Sequence, residues 1–305
     1  MVTLILTDLP LELLHATVSY LRPFEIERVA RTYNTKLYHI CIPLLSRRLA
    51  TQRHAKRIVA RFGPTQHERR NLDYLNLNGD LSWLLPLDKV TFAQTVAQHY
   101  HGPADRDRII DSVVATAKRL SLALPNVFVN IMRSEDLEKR MPLGGPYFTL
   151  GPVGLLKCPA AVDGGAGGYI IRFFSDQQAS FFYSLYLDTK GHCILSTLED
   201  PNRWAWDMQD ENDDLPESYT KKLDDLIAQG VIKQHEVDQA KEEGLHIATV
   251  GRTDFQLVGS DLEALMAEWY YWGKGYVSDM FSGPVPSDLQ AFRENSYKEG
   301  SEDTI

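Results

Sequence analysis

The sequence has few cysteines, no long hydrophobic run and no excess of positive charge. Its 305 residues include three cysteines, Cys41, Cys158 and Cys193, which lie far apart without a CxxC spacing. This spacing argues against a disulfide framework and a cysteine zinc site, and it favours buried thiols in a reducing compartment. The formal net charge of −9 argues against a nucleic-acid partner, although a local basic patch is compatible with it.

Membrane and secretory segments are not predicted either. No stretch reaches the roughly 18 apolar residues that a membrane-spanning helix needs. Asp8 and Glu12 stand where a secretory leader would carry basic residues. We therefore expect a protein of the cytoplasm, the nucleus or both, with no membrane partner.

The first fifty residues predict three short helices. Pro10 suits the first position of a helix, and apolar residues recur at helical spacing as far as Leu21. Pro23 starts a second helix, and Pro43 is expected to shorten or kink a third. So small a bundle rarely buries enough apolar surface to be stable alone. Part of that surface should be covered, either by the rest of the chain or by another protein.

The same residues resemble an F-box in its fungal form. The match runs over about residues 5–49, through the strings LPLELL, YLRP, VARTYN, LY and PLL. The resemblance implies binding to the Skp-type adaptor of a cullin ubiquitin ligase. It also implies adaptor contacts at Leu9, Pro10, Leu13, Leu14, Val18, Leu21 and Phe24. Some of these must instead hold the three helices together, and the sequence does not separate the two groups.

We divide the chain into an F-box at 1–50, a basic helical connector at 51–104, an α+β domain at 105–284 and a disordered tail at 285–305. The connector region is rich in arginine but has few aromatic residues, so a platform for stacking nucleic-acid bases is not indicated. A solvated helix and contact with an acidic surface both remain open for it.

The third segment predicts an antiparallel sheet flanked by helices, which makes the whole chain α+β. Short runs rich in aromatic and β-branched residues follow one another, and Asp188 to Gly191 is expected to form a hairpin. The run 169–174 has apolar residues on both faces, which predicts a central strand. If Arg172 is buried, it needs a partner, for which Asp176 and Asp188 are candidates. If it instead points to an open surface beside Gln177 and Gln178, it is a candidate for substrate contact.

This half resembles the SUKH superfamily in layout. The resemblance rests on Leu124-Pro125, on Gly167-Gly168-Tyr169, on Tyr186-Leu187-Asp188 and on a late helix with Trp269 and Trp272. It implies protein binding rather than catalysis. The candidate surface for a protein substrate comprises Asp176, Gln177, Gln178, Trp204 and Trp206.

No arrangement of residues predicts a reaction, a cofactor or a metal. The glycine-rich run 163–168 precedes a strand rather than a helix, so a mobile loop is expected in place of a phosphate site. His192 and Cys193 are adjacent on a strand and therefore face opposite sides.

Three hypotheses follow from these patterns. The leading one is a non-catalytic substrate receptor of a cullin ubiquitin ligase. The second is an interaction module in a Skp complex without cullin. The third is an unrecognised enzyme in the C-terminal half.

Overall fold

The computed structural model describes residues 9–19, 21, 23–32, 34–65, 72, 75, 77, 79–86, 103–141, 147–176, 180–201, 215–251, 255–281 and 285–296. Helices and strands are both present, so the α+β class is confirmed. The chain divides into two compact units, residues 1–57 and residues 58–305. Within the described ranges, no helix is both long enough and apolar enough to span a membrane.

Three helices form the first unit: α1 (Leu11–Ser19), α2 (Pro23–Ala30) and α3 (Thr35–Phe62), whose last turn belongs to the second unit. Asn34 begins α3, because its side-chain oxygen accepts a hydrogen bond from the backbone N–H of Leu37 at 3.1 Å. The helix continues through Pro43, which therefore does not end it. The core of the first unit consists of Leu14, Val18, Ile26, Ala30, Leu37, Ile40 and Cys41.

A seven-stranded sheet is the centre of the second unit. Its strands are β1 (Tyr147–Phe148), β2 (Leu156–Lys157), β3 (Tyr169–Ser175), β4 (Phe182–Asp188), β5 (Gly191–Thr197), β6 (His246–Ile247) and β7 (Phe255–Gly259). The order is β6-β2-β3-β4-β5-β7, and β1 also pairs with β3. All pairings are antiparallel except that of β2 with β6. The hairpin predicted at Asp188 to Gly191 is confirmed, since these two residues pair across the turn.

Helices surround this sheet. They are α4 (Pro103–Arg119), α5 (Asn126–Arg133), α6 (Glu135–Lys139), α7 (Ala160–Asp163), α8 (Glu217–Ala228), α9 (Gln234–Glu242), α10 (Leu262–Phe281) and α11 (Ser287–Ser296). One core joins alternate β3 and β4 residues, such as Ile171 and Leu185, to α4, α5, α10 and α11. A second core joins Ile170 and Tyr186 to α8, α9 and Ile58. The central position predicted for β3 is confirmed, because both of its faces are covered.

One feature of β3 breaks the simple alternation. The pairing of β3 with β4 shifts register between Arg172 and Phe174, which is a β-bulge. Phe173 and Phe174 consequently both join the first core. Strict alternation along β3 would place Phe174 on the face of Arg172, and the bulge moves it to the face of Phe173 instead.

Residues before the predicted boundary at 104 belong to the core of the second unit. Trp83 and Leu84 are buried against α10 and its neighbours. The indole N–H of Trp83 donates to Glu263 at 3.0 Å, and the backbone N–H of Gly79 donates to the same carboxylate at 2.7 Å. The described part of 72–86 therefore completes this core and is not a separate connector.

The start of α10 also differs from the sequence pattern. The string from Ser260 to Glu263 has the sequence pattern of a capping box. Instead, Asp261 caps the helix, with its carboxylate accepting from the N–H groups of Glu263 at 2.9 Å and Ala264 at 3.2 Å. The side chain of Glu263 accepts a hydrogen bond from Trp83 instead of capping the start of its own helix.

The predicted disordered tail contains α11. Leu289 and Phe292 of this helix are buried, and the Phe292 ring stacks on Tyr271 with centroids 4.8 Å apart. Lys274 donates to Asp288 at 2.6 Å. Two buried apolar residues and one ion pair therefore hold this segment, although its composition is polar. Residues 297–305 lie outside the described residues.

We predict that a fragment 58–305 folds cooperatively and that a fragment 105–305 does not. The shorter fragment lacks Ile58, Trp83 and Leu84, and loss of one buried tryptophan side chain alone costs about 3–5 kcal/mol. Urea unfolding followed by circular dichroism tests this. Equal unfolding midpoints for the two fragments would support the domain boundary at 104 that the sequence predicted.

Candidate interaction surfaces and buried polar networks

The residues that the F-box resemblance implies as adaptor contacts differ in how far they are buried. Leu14 and Val18 are fully buried in the core of the first unit. Leu9 and Leu21 are half-buried and pack against that core. Pro10 and Leu13 are exposed, with 55% of Leu13 accessible. The side chain of Phe24 lies outside the described part of α2.

The first unit also exposes apolar side chains that the resemblance did not single out. Leu11 is 54% exposed, and Tyr38 is 50% exposed. Ile42 is exposed too, one turn after Tyr38, so these two share a side of α3. Lys36 donates to the carbonyl of Leu9 at 2.9 Å, which places the start of α3 beside the start of α1. We call Pro10, Leu11, Leu13, Tyr38 and Ile42 the first-unit apolar set.

The two units have opposite charge. Residues 1–57 contain nine basic and four acidic side chains, whereas residues 58–305 contain 23 basic and 37 acidic ones. The formal net charge is therefore +5 for the first unit and −14 for the second. A partner of the first unit would meet a positive surface, and a partner of the second unit a negative one.

Only one member of the predicted substrate surface lies within the described residues. The carboxylate of Asp176 accepts hydrogen bonds from the backbone N–H groups of Ser180 at 2.5 Å and Phe181 at 3.1 Å. These bonds close the connection between β3 and β4, so Asp176 has a structural role. Gln177, Gln178, Trp204 and Trp206 lie outside the described residues.

Arg172 is a buried structural residue, but its partner is not one of the two that the sequence suggested. Its side chain is 2% exposed and pairs with the carboxylate of Asp200. It also donates to the carbonyl of Leu150 at 3.2 Å. Asp176 is occupied by its own turn. Asp188 pairs with Arg61 of α3 at 2.7 Å.

The glycine-rich run after α7 is held in place by one carboxylate. Asp163 is buried and accepts from the backbone N–H groups of Gly165, Ala166 and Gly168 at 2.9, 3.0 and 2.8 Å. The mobile loop predicted here is therefore wrong, since a buried acid organises these amides. Amides that already donate to Asp163 are not available to a phosphate.

This carboxylate belongs to a larger buried network. The hydroxyl of Tyr186 donates to Asp163 at 3.1 Å and accepts from Arg61 at 2.8 Å. Burial raises the pKa of Tyr186, so its hydroxyl stays protonated. The network ties the end of α3 to β4 and to the glycine-rich run.

The three cysteines are buried thiols. Cys193 is buried, and burial raises the pKa of the Cys158 thiol well above its usual value. Within the described ranges, no group of three or more His, Cys, Asp or Glu side chains is placed to hold a metal ion.

The late helix α10 has both buried and exposed aromatic residues. Trp269 is half-buried and stacks on Phe174, with ring centroids 4.4 Å apart. Tyr271 is buried, whereas Trp272 is 64% exposed and Tyr276 is 61% exposed. The sequence alone did not distinguish the core residues of this helix from its surface residues.

Comparison with known proteins adds no family to this description. No family model matches the chain, and no curated protein and no solved structure matches it. The resemblances to the F-box and to the SUKH superfamily remain predictions from the sequence.

We predict that Arg172→Ala destabilises the second unit by about 3–5 kcal/mol, because it leaves the Asp200 carboxylate buried without its cation. Arg133→Ala is the matched control. Arg133 forms an exposed ion pair with Asp111 at 2.5 Å, and its loss should cost less than about 1 kcal/mol. Urea unfolding measures both. A wild-type midpoint for Arg172→Ala would show that the pair does not stabilise the fold.

We predict that Gly168→Ala lowers the free energy of unfolding by about 1–3 kcal/mol, because a methyl group there would overlap the Tyr186 ring. Gly259→Ala is the control, since an added methyl group there meets no atom within 4 Å. Thermal melting of the two variants compares them directly. If both melt like the wild type, the ring has room to move away.

Proposed function

We propose that this chain is the substrate-receptor subunit of an SCF-type cullin ubiquitin ligase. In this proposal the first unit binds a Skp-type adaptor and the second unit recruits a protein target. The observation that carries it is the first-unit apolar set, which lies on a small helical unit whose sequence resembles an F-box.

The exposed residues have the character of a docking surface. A three-helix unit of this size buries few side chains, and its core accounts for only part of the matched motif. The motif positions that the core does not use, Pro10 and Leu13, are joined by Leu11 on α1 and by Tyr38 and Ile42 on α3. Exposed apolar side chains are typical of protein-binding sites where they form a contiguous patch. The surplus of basic residues in this unit suits an acidic partner surface.

The mechanism in this proposal is proximity. The chain performs no bond chemistry of its own. By holding the target beside the ubiquitin-transfer machinery, it raises the effective concentration of the target lysine and converts an encounter between free molecules into a reaction within one complex.

We predict that the double substitution of Pro10→Ala and Leu13→Ala weakens adaptor binding about tenfold or more without changing the melting temperature. Both side chains are exposed, so they contribute to binding rather than to folding, and one interface anchor can account for 2 kcal/mol or more. Titration against a recombinant fungal Skp-type adaptor gives the dissociation constant, and calorimetry gives the melting temperature.

Two controls accompany this variant. Leu198→Ala removes a leucine that is 77% exposed in the second unit, and it should bind the adaptor like the wild type. Leu14→Ala removes a core side chain and should lower the stability of the first unit by about 2–5 kcal/mol. Wild-type affinity in the double variant would contradict the proposed surface. Recovery of a cullin with the adaptor supports the complete ligase, and recovery of the adaptor alone supports the complex without cullin.

A further inference from the structure

Residues 79–86 form neither a helix nor a strand, yet they bury three large side chains. Leu81, Trp83 and Leu84 are at most 7% exposed, whereas Leu85 is 46% exposed. Within the described residues, the backbone of this stretch hydrogen-bonds only to itself, from Leu84 to Leu81 at 2.9 Å and from Leu85 to Trp83 at 3.0 Å. We call residues 79–86 the Trp83 segment.

Side chains of the surrounding helices hold the Trp83 segment. Four of them hydrogen-bond to it, namely Asn130 of α5, Arg140 directly after α6, and Glu263 and Tyr270 of α10. Three of the four donate to backbone carbonyls, Asn130 to that of Gly79 at 3.4 Å, Arg140 to that of Leu84 at 3.2 Å and Tyr270 to that of Leu85 at 3.4 Å. Trp83 lies among them and meets the Tyr270 ring edge to face, with centroids 5.8 Å apart. Apolar contacts with a few placed polar groups are typical of a ligand-binding groove, and we call these four residues the helical groove.

Two features weaken the attachment of the Trp83 segment. Leu81 has a φ of 60°, in the left-handed region that a leucine rarely adopts. The buried carboxylate of Glu263 has no lysine or arginine partner within the described residues, and burial raises its pKa. A segment held by side chains at such costs opens more readily than the strands beside it.

The helical groove also has a donor that the Trp83 segment does not use. The Nε–H of Arg140 is buried and has no acceptor within the described residues, although the other two nitrogens of the guanidinium bond to Leu84 and Asp136. A buried donor without an acceptor is costly. A ligand that supplies an oxygen at this position therefore binds the groove more tightly than the Trp83 segment does.

We propose that the helical groove is the target-binding site of the second unit and that the Trp83 segment occupies it until a target displaces it. The target chemistry is that of the present occupant, a peptide with leucine, tryptophan and leucine at the spacing of Leu81, Trp83 and Leu84, with an additional oxygen acceptor for Arg140. This inference rests on the proposed function, for which it supplies the recruiting site and the class of peptide recruited. The covalently attached occupant competes at a high effective concentration, so it sets a threshold of affinity that a target must exceed.

The test uses the full chain and a fluorescent peptide with the sequence of residues 79–86, GDLSWLLP. Fluorescence anisotropy measures its binding to the wild type and to Trp83→Ala, which removes the largest anchor of the competing segment. We expect Trp83→Ala to bind the peptide about tenfold more tightly or better, because the groove is freed for it. A peptide that carries both Trp83→Ala and Leu84→Ala should bind neither chain.

Two arginine variants, each combined with Trp83→Ala in the chain, locate the bound peptide. Arg140→Ala removes the donor to the carbonyl at position 84 and should weaken peptide binding by about tenfold. Arg133→Ala is the matched control, since it removes only an exposed ion pair at the end of α5 and should leave the affinity unchanged.

Hydrogen exchange of the unmodified chain is a second measurement, which does not require that Trp83→Ala folds. The amides of Leu84 and Leu85 should exchange about a hundredfold faster or more than the amides of β4, because the Trp83 segment opens locally. Equal protection of the segment and of β4 would make the segment a permanent part of the core and would overturn the inference.

Two binding results would also overturn it. They are a folded Trp83→Ala chain that binds the peptide no better than the wild type, and peptide binding that Arg140→Ala leaves unchanged. Adaptor binding is measured in parallel. Adaptor binding without peptide binding overturns this inference alone, whereas peptide binding without adaptor binding contradicts the proposed function and leaves the groove assigned.

Discussion

Coverage of both faces of β3 is the constraint on which the second unit depends. A strand with helices on each side has no water to satisfy its polar groups, so each of them requires a partner inside the protein. Arg172 meets this requirement through Asp200, and Tyr186 on the neighbouring strand meets it through Asp163 and Arg61. Lys157 on β2 is a third case, since its ammonium group donates to Glu243 and to the Tyr169 hydroxyl.

These partners come from distant parts of the chain. Asp200 follows β5, Arg61 ends α3, and Glu243 follows α9. Each polar contact therefore fixes one surrounding segment to the sheet in a single position, which apolar packing alone does less strictly. Segments that are far apart in sequence are thus all attached to the same sheet.

The sequence predicted those features that depend on local pattern. Alternation and turn residues identified the α+β class, the central strand and the hairpin at 188–191. The sequence did not identify the partner of Arg172, because four aspartates lie within thirty residues of it and only the fold decides that Asp200 reaches it. Three further features are likewise consequences of tertiary packing. They are the bulge at Phe173, the hydrogen bond from Trp83 to Glu263 and the packing of α11 against the core. In the first unit, the F-box resemblance names Leu13 and Leu14 together as implied contacts, whereas Leu13 is exposed and Leu14 is buried.

The three cysteines are placed so that the reaction of each with a thiol reagent reports the opening of the core around it. Cys41 lies in the core of the first unit, and Cys158 and Cys193 lie in the core beneath one face of the sheet. A thiol reagent can modify each one only while the surrounding core is open. Alkylation of Cys41 therefore reports transient opening of the helical unit, and alkylation of the other two reports opening of the sheet unit. The fluctuations of the two units can thus be followed separately in one unmodified chain.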